Sequence, residues 1–257
     1  MKKTVRILLI IVLLGVFALS AYKVGEYYYA RIQSEKMQQT LIQQAVTVVT
    51  PEPTQDTLTP EVPPKAQAPV SVDFPALTRE NPDIIGWIYW ENTCVHYPIM
   101  QAKDNDVYLH RLFDKTWSFA GTPFADYRHS GDFTDFQTTV YGHNMKNGTM
   151  FAPITQYQNQ EFYEENPVMW LLTPQGDYQV ELVAGLLTDD KGVARLSTVG
   201  QAQAEEFLAE IQEKSTFRSQ VEATPEDRYL MLSTCHYGFE NARYAVVGKL
   251  TPITVNQ

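Results

Sequence analysis

Eight short apolar or alternating runs follow one another between Gly86 and Pro252, with turn residues between them. They are Gly86 to Trp90, Cys94 to Met100, Gly121 to Ala125, Gln137 to Tyr141, Val168 to Thr173, Tyr178 to Thr188, Arg228 to Thr234 and Ala242 to Pro252. Runs of this length with a period near two predict strands that each bury one face. A chain that repeats the pattern eight times must close its strands into a barrel or stack them as a sandwich. Two longer stretches, Met150 to Tyr163 and Gln201 to Glu213, carry helical patterns; in the second, Ala204, Phe207, Leu208 and Ile211 recur at helical spacing. Phe74 to Glu80, before Asn81-Pro82-Asp83, reads as a short helix. The expected fold is mostly β with a few helices.

Upstream the composition changes sharply. Lys2, Lys3 and Arg6 precede an apolar run from Ile7 to Ala21, broken only by Gly15 and Ser20. A membrane span needs about 20 residues. Val5, Tyr22 and Val24 extend the run, Lys23 can snorkel, and Tyr27, Tyr28 and Tyr29 suit the interface. Residues 1–25 are therefore expected to be an uncleaved signal anchor with the basic flank inside the cell and the remainder exported. The alternative is a signal peptide cleaved near Ala18 to Ala21. Residues 26–50 read as a helical stalk. Residues 51–70 carry six prolines (51, 53, 60, 63, 64 and 69) and read as a solvated linker. The folded domain is then expected from about Val70, with 71–257 as its span, a comfortable single-domain length. With 44% hydrophobic and 19% charged residues the chain is of ordinary globular composition, and a net charge of -10 argues against nucleic acid as a partner.

Only Cys94 and Cys235 occur, and in an exported chain the two could form one disulfide. Local context sets Cys235 apart. The run Tyr229-Leu230-Met231-Leu232-Ser233-Thr234-Cys235-His236-Tyr237-Gly238 places a thiol where an apolar strand enters a turn, which fixes the backbone while opening the sulfur to substrate. A nucleophilic thiol needs a proton-transfer partner and a group that holds charge on the substrate oxygen. Among five histidines, His143 has the matching setting, since Thr138-Thr139-Val140-Tyr141-Gly142-His143-Asn144 ends a strand in the same way, with Gly142 permitting an unusual backbone turn. His96 lies inside a strand pattern, His110 follows a helical turn and His129 sits in a polar loop. His236 adjoins the cysteine but faces the opposite side of the strand. Arg243 opens the last strand, where a hairpin would return it beside Cys235 with a permanently charged guanidinium.

These segments together resemble the class B sortases. The resemblance is carried by Leu232-Ser233-Thr234-Cys235, Tyr141-Gly142-His143-Asn144-Met145 with Gly148-Thr149-Met150-Phe151, and Arg243-Tyr244-Ala245-Val246-Val247. It extends upstream through Gly86-Trp87-Ile88, Tyr97-Pro98-Ile99-Met100-Gln101, Asp104-Asn105-Asp106, Tyr108-Leu109 and Gly121 to Tyr127. It implies an eight-stranded sortase β-barrel with N-terminal helices and a helix in the long connection before the cysteine strand. It implies Cys235, His143 and Arg243 as catalytic residues, with Asn105, Leu109, Ser233 and Thr234 along the groove for a sorting peptide. Met231 departs from the family motif, which often has Thr there.

The implied activity is transpeptidation: a surface protein is cleaved after Thr in a C-terminal sorting motif, and its acyl group passes to an amine of peptidoglycan or of a pilin. No cofactor or metal is expected, because the sequence lacks a His-Glu-x-x-His ligand set and a glycine-rich phosphate loop. Two other classes compete: a cysteine hydrolase that uses water as acceptor, and an inactive surface adhesin or scaffold. Papain-like proteases place Cys before His in the chain, whereas His143 here precedes Cys235.

Overall fold

In the computed structural model, residues 3–49 and 67–253 are described. Eight strands close into a barrel: β3 (Ile84–Tyr89), β4 (His96–Met100), β5 (Phe124–Ala125), β6 (Gln137–Tyr141), β7 (Val168–Leu172), β8 (Asp177–Asp189), β9 (Tyr229–Cys235) and β10 (Ala242–Ile253). Around the barrel the order is β10-β8-β7-β3-β4-β5-β6-β9. The β4–β5 and β6–β9 contacts are parallel, and the other six are antiparallel. Each of the eight expected runs supplies one strand, and the barrel is the arrangement adopted.

Period-two alternation fills two cores at once. From β9, Leu230 and Leu232 point into the barrel beside Tyr244 and Val246 of β10. Their neighbours Tyr229, Met231, Ala245 and Val247 pack outward. Over that outer face lies α5 (Ala204–Glu213), which buries Ala204, Phe207, Leu208 and Ile211, the helical stripe anticipated from spacing. A second cover, α4 (Asp190–Leu196), buries Val193 and Leu196 and was not anticipated. Its seven residues, with Gly192 among them, are too few for a periodic signal. The Met150 to Tyr163 stretch forms a 3-10 helix at Ala152–Gln158 followed by α3 (Gln160–Glu165), and α2 spans Phe74–Glu80 as expected.

Upstream, α1 runs without interruption from Lys3 to Ala45. Its apolar part is long enough to cross a membrane, with a mean hydropathy of 2.5 over 18 residues and no burial in the fold. Its later part is not a free stalk. Leu41 and Ala45, with Met37 and Ile42, pack on Phe74, Leu77, Trp87 and Tyr108. The spacing Met37, Leu41, Ile42, Ala45 is that of one helical face, a signal present in the sequence and masked by the surrounding glutamines. After α1, β1 (Val46–Val48) pairs with β2 (Val70–Val72), and Val49 N–H donates to the Pro69 carbonyl at 2.9 Å. Most of the expected Pro-rich linker, residues 51–66, lies outside the described residues; its two flanks are held side by side.

Burial depresses three imidazoles below their ordinary value. His96 is the extreme case: desolvation lowers it to about 4, and its Nδ1 accepts the Trp87 indole N–H at 2.7 Å. His129 and His143 are also lowered, first by burial. Below the ordinary value of 6.5 the unfolded chain binds protons that the fold refuses, so stability falls as pH drops from 6.5 towards about 4. We expect the thermal midpoint to decline across that window and to decline less steeply in His96→Asn, whose amide oxygen can keep the indole bond. Equal slopes for the two proteins would contradict the assignment.

Candidate active site

The site is built from two ladders that share β9. In the parallel β6–β9 ladder Tyr141 lies opposite Ser233, and Gly142 N–H continues it by donating to the Ser233 carbonyl at 3.0 Å. Two residues further along both chains stand His143 and Cys235. In the antiparallel β9–β10 ladder Cys235 lies directly opposite Arg243. Neighbouring strands are about 4.8 Å apart. Three residues separated by up to a hundred positions in sequence thus share one rim of the barrel.

All three line a single cleft of about 310 Å³, together with Asn105, Leu109, Ser233 and Thr234. Alternation sets the side: Ser233, Cys235, Arg243 and Ala245 project to the outer face, where α4 closes the cleft wall with Val193 and Ala194. Both cysteines are free, so the disulfide alternative is not realised. Cys94 instead donates its S–H to the Gly148 carbonyl at 3.1 Å, and burial pushes its thiol up.

His143 is half-buried. Desolvation depresses its imidazole below the usual value, the Leu109 carbonyl opposes this, and His110 adds to the depression. The Leu109 oxygen, 2.9 Å from Nε2, can only accept, so it fixes the tautomer with hydrogen on Nε2 and leaves Nδ1 to carry proton transfer. His110 stacks on His143 with ring centres 5.7 Å apart. The group that orients the histidine is a main-chain carbonyl in a 3-10 turn, Tyr108–His110, which residue type cannot reveal.

The other expected groove residues differ in what they do. Ser233 is 2% exposed, and its hydroxyl has no partner among the described residues. Thr234 touches the cleft, but its hydroxyl donates to the Gly142 carbonyl at 2.7 Å and ties β9 to β6. Asn105 is held from behind: its amide donates to Asp126 at 3.3 Å, and its oxygen accepts Tyr127 N–H at 3.1 Å. Asp126 is fully buried, ion-paired with Arg128 at 2.6 Å, and accepts the Tyr141 hydroxyl at 2.9 Å. Asn144, not singled out from sequence, donates to the Cys235 carbonyl at 2.9 Å and so ties the histidine and cysteine loops together. Met231 is fully buried under α5, away from the cleft, so its departure from the family motif is a matter of packing. His236 lies on the far side, beside Gln158 and Gly238.

No family model matches the chain. It is 33% identical over 245 residues to the sortase B of Listeria monocytogenes, covering 94% of this chain and 95% of that protein. The chain belongs to the class B sortases. Among solved structures, the Clostridium perfringens sortase B is 35% identical with a TM-score of 0.65, over 69% of this chain and 98% of that one. A Staphylococcus aureus sortase B–substrate complex matches with a TM-score of 0.70 at 28% identity, over 90% of this chain and all (100%) of that one. The chain is thus a sortase-family enzyme, and the closed eight-stranded barrel with its helices is the sortase fold.

Gly142 has a different role from the one expected of it. It is not among the glycines with positive φ; a Cβ there would sit 2.5 Å from the ring of Phe151, which is fully buried. Space, not backbone freedom, requires glycine beside His143. Gly142→Ala is expected to cost about 1–3 kcal/mol in unfolding free energy. Phe151→Leu in the same chain should recover part of that loss in a double-mutant cycle; strict additivity would show that the two sites do not clash.

Proposed function

We propose that the enzyme is a cysteine transpeptidase that works outside the cell, anchored through the apolar part of α1. In this reading it cleaves surface proteins after Thr in a C-terminal sorting motif. The observation that carries it is the ladder register that sets Arg243 opposite Cys235 and brings His143 to the same cleft.

The thiol of Cys235 passes its proton to His143, and the thiolate attacks the Thr carbonyl carbon. Arg243 faces the oxygen on which negative charge develops. Collapse of the tetrahedral adduct breaks the peptide bond, and the departing amine takes the proton from His143, leaving a thioacyl enzyme. An incoming amine, from peptidoglycan or from a pilin, gives a proton to His143 and attacks the thioester. The proton then returns to sulfur as the new amide forms. Burial suits His143 to this shuttle, since it disfavours the charged form and keeps the ring ready to accept. Asn105, held by Asp126, and Ser233, whose buried hydroxyl lacks a partner among the described residues at the cleft wall, are the side chains this reading assigns to the peptide groove.

Incubation of the enzyme with a Thr-containing sorting peptide, with and without hydroxylamine, tests the reading. Hydroxamate formation supports transfer, whereas hydrolysis at an unchanged rate in both assays would make the protein a hydrolase. Cys235→Ala should abolish turnover, and His143→Ala should lower kcat by roughly 10²–10⁴. Arg243→Lys should lose on the order of 10²–10³ in kcat. Because the His143 imidazole is depressed, its base form persists as pH falls, and the acid limb of kcat/KM should lie below 6.5. A limb above that value would contradict the buried histidine as base.

A further inference from the structure

The helix that carries the apolar span also touches the barrel, and the contact lies close to the end of that span. If Val5 to Val24 fills the hydrocarbon, its rise covers about 30 Å, the thickness of the bilayer core. Tyr27 then stands roughly 4–5 Å beyond the hydrocarbon edge, inside the headgroup layer. There its ring stacks on Phe119 with centres 4.8 Å apart and planes 11° from parallel. Phe119 therefore shares that depth, and the barrel cannot stand off from the surface.

Phe119 belongs to a hairpin that is firmly held. Arg111 bridges to Trp117, Leu112 N–H donates to the Thr116 carbonyl at 2.8 Å, and Leu112, Phe113, Ser118 and Ala120 are buried at its base. Lys115 pairs with Asp83 at 2.9 Å, and the Asn81 amide donates to the Phe113 carbonyl at 2.6 Å. Yet Trp117, two residues from Phe119, is 56% exposed. A large indole projecting from a rigid hairpin whose Phe119 stacks on Tyr27 matches the aromatic belt that proteins place at the membrane interface.

We infer that the Arg111–Phe119 hairpin is a second membrane contact, which lays Trp117 into the headgroup layer of the bilayer that holds α1. This rests on reading α1 as a membrane span. The occupant of the exposed indole is lipid, because the helix that passes through the bilayer fixes the hairpin beside it. The consequence reaches the site: His110 lies between Trp117, at 6.4 Å, and His143, at 5.7 Å. One ring separates the membrane contact from the proposed base, so the cleft opens beside the lipid surface and suits a polypeptide still tethered in the bilayer.

The test reconstitutes the full chain into phosphatidylcholine–phosphatidylglycerol vesicles with or without lipids brominated near the top of the acyl chains. Flotation reads the span and fluorescence quenching reads the hairpin. Of the other tryptophans, Trp87 and Trp90 are buried and Trp170 is half-buried, so quenching should remove the emission that Trp117→Phe deletes and leave that variant's own emission unchanged. Tyr27→Ala should float as well as the parent and lose most of the quenching. Failure to float would overturn the span and the hairpin contact together. Flotation without quenching of Trp117 would overturn the contact alone. Emission that instead shifts with the protein-to-lipid ratio would assign the indole to a second copy of the chain and also overturn it.

Discussion

The parallel pairing of β6 with β9 is the contact on which the rest of the site depends. Parallel neighbours run in the same direction, so both strands end at the same rim and release their loops there together. His143 and Cys235 are thereby brought side by side without any contact between their own side chains being needed. The antiparallel β9–β10 hairpin adds Arg243 by direct register. A one-residue slip in either ladder would turn one of these side chains to the opposite face. The register is secured by burial: Leu230, Leu232, Tyr244 and Val246 fill the barrel while Met231, Ala245 and Val247 meet α5.

Around this frame, main-chain groups do much of the positioning. The Leu109 carbonyl holds one nitrogen of His143, the Gly142 carbonyl takes the Thr234 hydroxyl, and the Cys235 carbonyl takes the Asn144 amide. Side chains then supply charge and shape. Asp126 is fully buried while its partner Arg128 keeps one side towards solvent, and Tyr141, Asn105 and Ser197 complete the hydrogen bonds of the two, which turns them into a fixed brace behind the cleft. Burial also tunes the chemistry, since desolvation is the largest cause of the depressed His143 imidazole.

Much of this was legible in the chain. Strand alternation located all eight barrel strands within a few residues, and the order of polar residues at strand ends singled out Cys235, His143 and Arg243. Four features were not legible. The helix α4 is too short to show a period. The strand pair β1 and β2, three residues each, joins segments read as stalk and linker. The docking of α1 is written in four apolar residues among polar ones. The carbonyl that orients His143 belongs to no residue type.

By itself the sequence determined the kind of fold, the membrane-length apolar helix and the candidates for reactive groups, because periodicity, composition and side-chain chemistry are local properties. Only the tertiary structure decided which groups meet, which are desolvated and which face of each strand lines the cleft. Those follow from closing the barrel, a long-range event in which each strand's register is set by neighbours distant in the chain. It also joined the helix to the barrel through Tyr27 and Phe119, a stacking between residues 92 positions apart that no local pattern encodes.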